Sequence, residues 1–294
     1  MDPRSPVDIL VVGNCCHDTL IDRTGSARQV LGGSASYISA VLRSFGANYR
    51  TVAKVGRDFR YAAQIAETIP GAIVEGESTT SFIDDYRGSE RRETLQAAGA
   101  RIRPEDVEGK YRIAIACGVA GEVLPETLLA LRERAAIVIA DAQGLVRVFG
   151  ASGEVRVQPV AHGLFAEVLN AIVFLKASAS ELRCINIASS AVGDAQAFAG
   201  VLISTDGPRG ATLQLPRQDS DEERTIFVPP FPAEEIDATG AGDCFLAGFA
   251  FGLARSLSLE RSARLGNWCG ARAVETVGVP TLDAAAALAA IGDP

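Results

Sequence analysis

The 294-residue chain carries 36 acidic against 28 basic residues, a formal net charge of −8, which argues against a general nucleic-acid or anionic-membrane partner, since both need a basic face. With 48% hydrophobic and 22% charged residues it is too apolar for disorder and long enough to bury a substantial core, as one large α/β domain or two smaller ones. No apolar run reaches the roughly 18 residues of a membrane span, and Met-Asp-Pro-Arg-Ser-Pro leads into a short strand rather than a signal-peptide core, so a cytoplasmic monomer or homodimer is expected.

Along the chain, short apolar runs alternate with helical patterns. Residues 8–14 read as a buried strand ending in a turn, 34–45 as a helix, 51–55 as a strand, 59–68 as a helix and 73–74 as a short strand. Further strands are expected near 112–117, 136–140, 171–175 and 200–204, with helices near 124–134, 161–169 and 179–187. Such alternation predicts an α/β fold whose mostly parallel sheet is covered on both faces, with ligands at the carboxyl ends of its strands. Two polar, β-prone segments, about 18–31 and 79–98, break the rhythm and are too polar for a central sheet; a small β lid and ordinary surface hairpins are both open readings. The charged run 217–224 reads as a solvated hairpin tip.

The densest chemistry lies in Asp237-Ala-Thr-Gly-Ala-Gly-Asp243-Cys-Phe-Leu-Ala-Gly-Phe, where a glycine-rich bend runs into an apolar helix over about 241–254. Gly240 and Gly242 permit backbone conformations closed to other residues, so the N–H groups of Ala241, Gly242 and Asp243 can converge on one anion, helped by the helix dipole. A carboxylate beside a phosphate site repels the ligand unless it has separate work, and taking the proton from a hydroxyl nucleophile is such work. The helix N-terminus is expected to keep Asp243 ionised at neutral pH, as a base must be. The plain alternative is a tight turn whose Asp caps a helix.

Other chemistries have little material. His17 and His162 are the only histidines, too few for a histidine-built zinc site or a serine–histidine triad. The six cysteines, at 15, 16, 117, 184, 244 and 269, show no Cys-x-x-Cys spacing and read as buried thiols of a reducing compartment. A P-loop needs Gly-Lys-Ser/Thr, whereas Gly109-Lys110 is followed by Tyr; a dinucleotide fold wants Gly-x-Gly-x-x-Gly after the first strand, where Gly13 is followed by Asn-Cys-Cys-His.

The run at 237–243 resembles the Asp-Thr-x-Gly-Ala-Gly-Asp signature of the ribokinase-like (PfkB) carbohydrate kinases. The stretch Leu31-Gly-Gly-Ser-Ala-Ser-Tyr-Ile-Ser-Ala-Val-Leu-Arg-Ser-Phe-Gly-Ala47, followed by Lys54-Val-Gly-Arg-Asp58, resembles that family's first signature. The resemblance implies a ribokinase-like three-layer sandwich, one domain over 1–294, and a lid from 18–31 and 79–98. It also implies transfer of the γ-phosphoryl group of ATP, with Mg2+, to a hydroxyl of a neutral polyol. Asp243 would be the general base, and the backbone of Gly240, Ala241 and Gly242 the anion hole.

The same resemblance suggests partners for the acceptor. Asn14 and Asp18 follow the first strand, and Asp18 matches the carboxylate that grips vicinal hydroxyls, accepting a hydrogen bond from each. Gly32 and Gly33 let the backbone approach the substrate, and Arg147, in Asp141-Ala-Gln-Gly-Leu-Val-Arg147, is implied as a donor to phosphate or substrate. Thr205, Gly207 and Gly210 match a nucleotide loop. Glu181, in Lys176-Ala-Ser-Ala-Ser-Glu181, is implied in holding Mg2+ through water, although Ser178 replaces the usual Asn. Asp237, with Thr239, occupies a position associated with a monovalent cation such as K+. Tyr37 stands where many sugar kinases have an Asn that touches the sugar, which turns the expectation away from ribose and fructose. Scattered blocks, among them Gly13-Asn-Cys-Cys-His-Asp18 and Val228-Pro-Pro-Phe231, resemble the branch of the family that phosphorylates myo-inositol. Kinases of fructose, ribose or adenosine, and a non-catalytic scaffold of the same fold, stay open as alternatives.

Overall fold

In the computed structural model the first apolar run forms a strand whose four residues are all buried, as expected of a parallel strand covered on both faces. The structure describes residues 8–65, 72–73, 77–89, 91–160, 164–185, 187–188, 196–216 and 224–292. In chain order the main elements are β1 (Ile9–Val12), β2 (Cys16–Ile21), β3 (Ala27–Gly32), α1 (Ser34–Ser44), β4 (Tyr49–Val52), β5 (Thr80–Asp85), β6 (Arg92–Ala97), β7 (Tyr111–Ala116), α2 (Pro125–Arg134) and β8 (Ala135–Asp141). They continue with β9 (Phe174–Ser178), α3 (Ala179–Ile185), β10 (Val201–Thr205), β11 (Ala211–Gln214), β12 (Thr225–Val228), α4 (Ala241–Ala254), α5 (Leu259–Ala273) and α6 (Ala284–Ala290).

Eight strands form the central sheet in the order β12-β11-β10-β9-β8-β7-β1-β4. All pairs from β4 to β10 are parallel, and β11 and β12 extend that edge antiparallel. Alternate side chains separate two cores, as the pleat requires. Ile9, Val11, Ile113, Ile115 and Ile139 meet α1, α4, α5 and α6 on one face, while Leu10, Val12, Ala114, Ala116, Val138 and Ala140 meet α2 and the 3-10 turn Ala166–Ala171 on the other. Helix α4 is buried continuously from Cys244 to Leu253. It is apolar nearly all round because it lies between the sheet and α5. This is the three-layer α/β sandwich with a mostly parallel sheet that the alternation predicted.

The two polar segments build a separate four-stranded sheet in the order β3-β2-β5-β6. It is mixed: β2 pairs antiparallel with β3 and parallel with β5, and β5 antiparallel with β6. Along β2 and β5 buried and half-buried residues alternate, which puts Cys16, Asp18 and Leu20 of β2, with Thr80, Phe82 and Asp84 of β5, on the covered face.

Several expected boundaries shift for local reasons. Of the helix expected over 59–68 only Ala62–Ile65 is helical, and 66–68 lie outside the described residues. Residues 161–163 also lie outside them; the 3-10 turn Ala166–Ala171 follows, so the next strand starts at Phe174 rather than at 171. Strands β11 and β12 flank 217–224 and pair antiparallel, as a hairpin tip there implies, although neither strand was assigned; residues 217–223 of the tip lie outside the described residues. Among the described residues no helix is long and apolar enough to cross a membrane, and Cys15, Cys16, Cys117, Cys244 and Cys269 are free and buried.

Candidate active site

The glycine-rich bend opens α4 where the sheet strands end. Gly240 caps the helix with φ 77°, and a Cβ there would lie 2.2 Å from the Tyr37 ring, so both backbone and space require glycine. Asp243 is the first acidic residue of the helix, in its first turn. The bend divides two cavities. Gly240 and Asp243 line a small polar one, whereas Ala241 and Gly242 line a larger, mostly apolar one.

The polar cavity, about 90 Å³, draws on five parts of the chain, one of them Val119 after β7. The small sheet and its connection contribute Asp18, Phe82, Arg91 and Glu93; the β3–α1 junction contributes Gly33, Ser34 and Tyr37; the segment after β8 contributes Gln143 and Arg147; the bend contributes Thr239, Gly240 and Asp243. A chain of charges runs along one wall. Arg91 pairs with Asp84 at 2.8 Å and stands 3.6 Å from Glu93, which pairs with Arg147 at 3.1 Å. Gln143 donates to the Ser34 hydroxyl at 2.8 Å, and Tyr86 meets the Thr239 hydroxyl at 3.3 Å, tying the small sheet to the bend.

Two carboxyls here are displaced upward. Burial, then the charge of Asp141, pushes Asp243 up to about 6, against the opposing pull of Lys176, Ser34 and Arg147. This corrects the expectation that the helix N-terminus dominates: Asp243 is still mostly ionised at pH 7, but because the upward push stops near 6. Burial, then Asp84, pushes Asp18 up to about 8, with Arg91 opposing. The Asp18 Oδ1, Asp243 Oδ1 and Tyr37 hydroxyl are enclosed without a hydrogen-bond partner. Unpaired buried polar atoms are costly, so the carboxyl oxygens point to a ligand that donates and the phenol to one that can also accept, as a hydroxyl does.

The apolar cavity, about 440 Å³, lies on the other side of the bend. Thr205, Gly207, Pro208 and Gly210 of the β10–β11 turn form one wall, Pro230, Phe231 and Pro232 a second, and Phe245, Asn267, Gly270 and Val274 of α4 and α5 the floor. Asn267 is held by donating to the Val228 and Pro229 carbonyls.

Other expected site residues sit elsewhere. Asn14 does not line the polar cavity. It is fully buried, its amide donates to the Ala100 carbonyl and accepts from the Lys54 N–H, and so it splices loops together rather than facing an acceptor. Gly32 lies beside the Asp18 carboxylate. Glu181 accepts from the Ser178 N–H and hydroxyl, each at 2.8 Å, closing the start of α3 and lining neither cavity. Asp237 accepts from the Thr239 N–H through one oxygen, while its Oδ2 is enclosed and unpartnered. Sequence reasoning did not single out Ser34, Arg91, Glu93 or Gln143. The signal for the first pair of charges was the alternation of the lid segment, which is too weak to rank one polar residue above the next. Nor did it assign work to Lys176, which pairs with Asp141 at 2.9 Å directly beneath Gly242.

Residues 7–284 match the pfkB family carbohydrate kinases. The chain is 35% identical over 285 residues to inositol 3-kinase of Arabidopsis thaliana, covering 94% of this chain and 76% of that protein. It is 38% identical over 294 residues to inositol 3-kinase of Oryza sativa subsp. japonica, covering 94% and 70%. Among solved structures, a pyrophosphate-dependent kinase in the ribokinase family superposes with a TM-score of 0.75 at 17% identity over 94% of this chain and 98% of that one. The ribokinase of Thermotoga maritima does so with a TM-score of 0.69 at 19% identity over 96% and 99%. The chain therefore belongs to the pfkB family of carbohydrate kinases, phosphotransferases with an alcohol group as acceptor.

Proposed function

We propose that this enzyme transfers the γ-phosphoryl group of ATP to a hydroxyl of myo-inositol. The carrying observation is the divided bend: Asp243 opens on the polar cavity, while Ala241 and Gly242 of the same turn open on the apolar one. A polyol in the first places a hydroxyl against Asp243, and a nucleotide in the second lays its phosphates across the amides of residues 241–243. A base whose pKa is about 6 is deprotonated at pH 7 yet still basic enough to take the hydroxyl proton as the phosphoryl group arrives. The amides and the helix N-terminus meet the charge on the transferred group.

Substrate identity rests on two supports. Three relatives that match over 92–94% of the chain at 35–38% identity are inositol 3-kinases. The cavity alternates acceptors (Asp18, Glu93) with donors (Arg91, Arg147, Gln143), which suits a ring bearing a hydroxyl on every carbon. The 3-hydroxyl is the proposed acceptor. For the donor, a mostly apolar space of about 440 Å³ favours a purine base over bare pyrophosphate, which has no apolar part to fill it. We read the chain as one domain, with the small sheet as a lid over the acceptor.

Mg2+ fits as a companion of the donor rather than as a resident ion, because among the described residues no group of three His, Cys, Asp or Glu is placed to cage a metal. Held mainly by the phosphates and water, with Glu181 reaching it through water, the ion would neutralise charge on the transferred group. The enclosed, unpartnered Oδ2 of Asp237 suits a monovalent cation such as K+.

The deciding assay crosses ATP and pyrophosphate with myo-inositol, fructose, ribose and adenosine, reading ADP or phosphate release and locating the product phosphate by NMR. Myo-inositol with ATP should be turned over best; a clear preference for ribose, fructose or pyrophosphate overturns the reading. A second expectation concerns Asp18. Its carboxyl is protonated in the empty site at neutral pH, and hydroxyl donors favour its charged form. Myo-inositol should therefore bind with proton release and bind more tightly as pH rises from about 6 to 8. Calorimetry in buffers of differing ionisation heat reads that release directly, and pH-independent affinity with no proton release refutes it.

A further inference from the structure

The proposed acceptor has no charge, yet its cavity contains two guanidinium groups. Arg91 is taken by Asp84 at 2.8 Å, whereas Arg147 has one paired carboxylate among the described residues, Glu93 at 3.1 Å. Glu93 also stands 3.6 Å from Arg91, so a single carboxylate touches both cations. Both members of the Glu93–Arg147 pair are mostly buried, with side chains 19% and 16% exposed, and both line the cavity. A guanidinium released in such a place would seek a carboxylate or phosphate, to which its fork is matched.

We propose that Glu93 is a charge filter that determines acceptor specificity. By occupying Arg147 and leaning on Arg91 it leaves their remaining N–H groups for hydroxyls while cancelling the attraction either would exert on an anion. The site then takes a neutral polyol and rejects its carboxylated and phosphorylated counterparts, including the phosphorylated product. Specificity here comes from a repulsive element set into an otherwise attractive wall. The inference rests on the neutral-polyol reading above and extends it from what the site accepts to what it excludes.

The test uses quinate, a cyclic polyol carrying a carboxylate, as a competitive ligand against myo-inositol in the intact enzyme. Wild type should bind quinate far more weakly than myo-inositol. Glu93→Gln keeps the shape and an acceptor for Arg147 but removes the charge, so the ratio of the two affinities should move toward quinate by roughly tenfold or more, with a gain that fades as salt rises. Inhibition by inositol monophosphate should strengthen in the same variant. Glu93→Asp, which keeps the charge, should still discriminate, and adding Arg147→Gln to Glu93→Gln should abolish the gain. Because the readout is a ratio within each protein, a loss of folded material cancels. An unchanged ratio in Glu93→Gln, or a gain that persists without Arg147, overturns the filter. Should wild type turn over another neutral polyol instead of myo-inositol, the substrate reading falls, while the same ratio taken against that polyol still decides the filter.

Discussion

Asp243→Asn should cut turnover by roughly 10²- to 10⁴-fold, the usual worth of a positioned base, while ATP affinity stays close to that of wild type because the amides that meet the phosphates are untouched. Its stability should move the other way. The folded carboxyl titrates near 6 against a reference of 3.8, so between those values the folded chain binds the extra proton. Stability contributed by this group is full below about 4 and is lost as pH rises through about 6, so at pH 7 the ionised form weakens the fold. Asn removes that term, and the variant should melt no lower than wild type at pH 7. A mere helix cap predicts the reverse, turnover per folded molecule intact and stability lower by about 1 kcal/mol. In wild type the pH profile of kcat/KM should carry an acid limb near 6 that the Asn variant lacks. Near-normal turnover in folded Asp243→Asn would end the base assignment.

Lys176→Met should be the most damaging single change to stability. Lys176 and Asp141 face each other across β9 and β8 at 2.9 Å, with side chains 7% and 0% exposed. Removing the cation leaves Asp141 charged and unpaired in the interior, a loss of about 3–5 kcal/mol. Adding Asp141→Asn should recover much of it, since the orphaned charge goes too, and urea denaturation of the two singles and the double measures that coupling. The base reports the same electrostatics with opposite signs: Lys176 pulls the Asp243 carboxyl down and Asp141 pushes it up. The acid limb should therefore rise in Lys176→Met and fall in Asp141→Asn. A Lys176→Met protein as stable as wild type would show that the pair contributes little.

What the chain reveals of itself follows the range of the forces involved. The 237–243 bend was legible because its chemistry is contiguous: glycines, helix start and carboxylate fall within one turn, and α4 begins at Ala241 as its pattern required. The parallel sheet was legible because burial on both faces leaves short, continuous apolar runs. The charge pairing in the wall of the polar cavity was not: Asp18 and Arg147 were named through the family resemblance, but Glu93 lies 54 residues from Arg147 and nothing local marks it as the partner. Asn14 misled for the converse reason. Its place after β1 suggests a ligand contact, but its amide is spent on Ala100 and Lys54, far along the chain. Edge strands β11 and β12 were left unassigned, with only the hairpin tip between them read, because they are short and half-polar, a pattern that loops share.

The bend at 240–243 also acts as a party wall: the polar and the apolar cavity each have their own rim of residues and adjoin over a few backbone atoms. With a polyol in one chamber and a nucleotide in the other, as proposed, neither chamber is built from the other's occupant, and either reactant should be able to enter first. Initial-rate plots should intersect in the manner of a random ternary mechanism, with ADP competing against ATP alone.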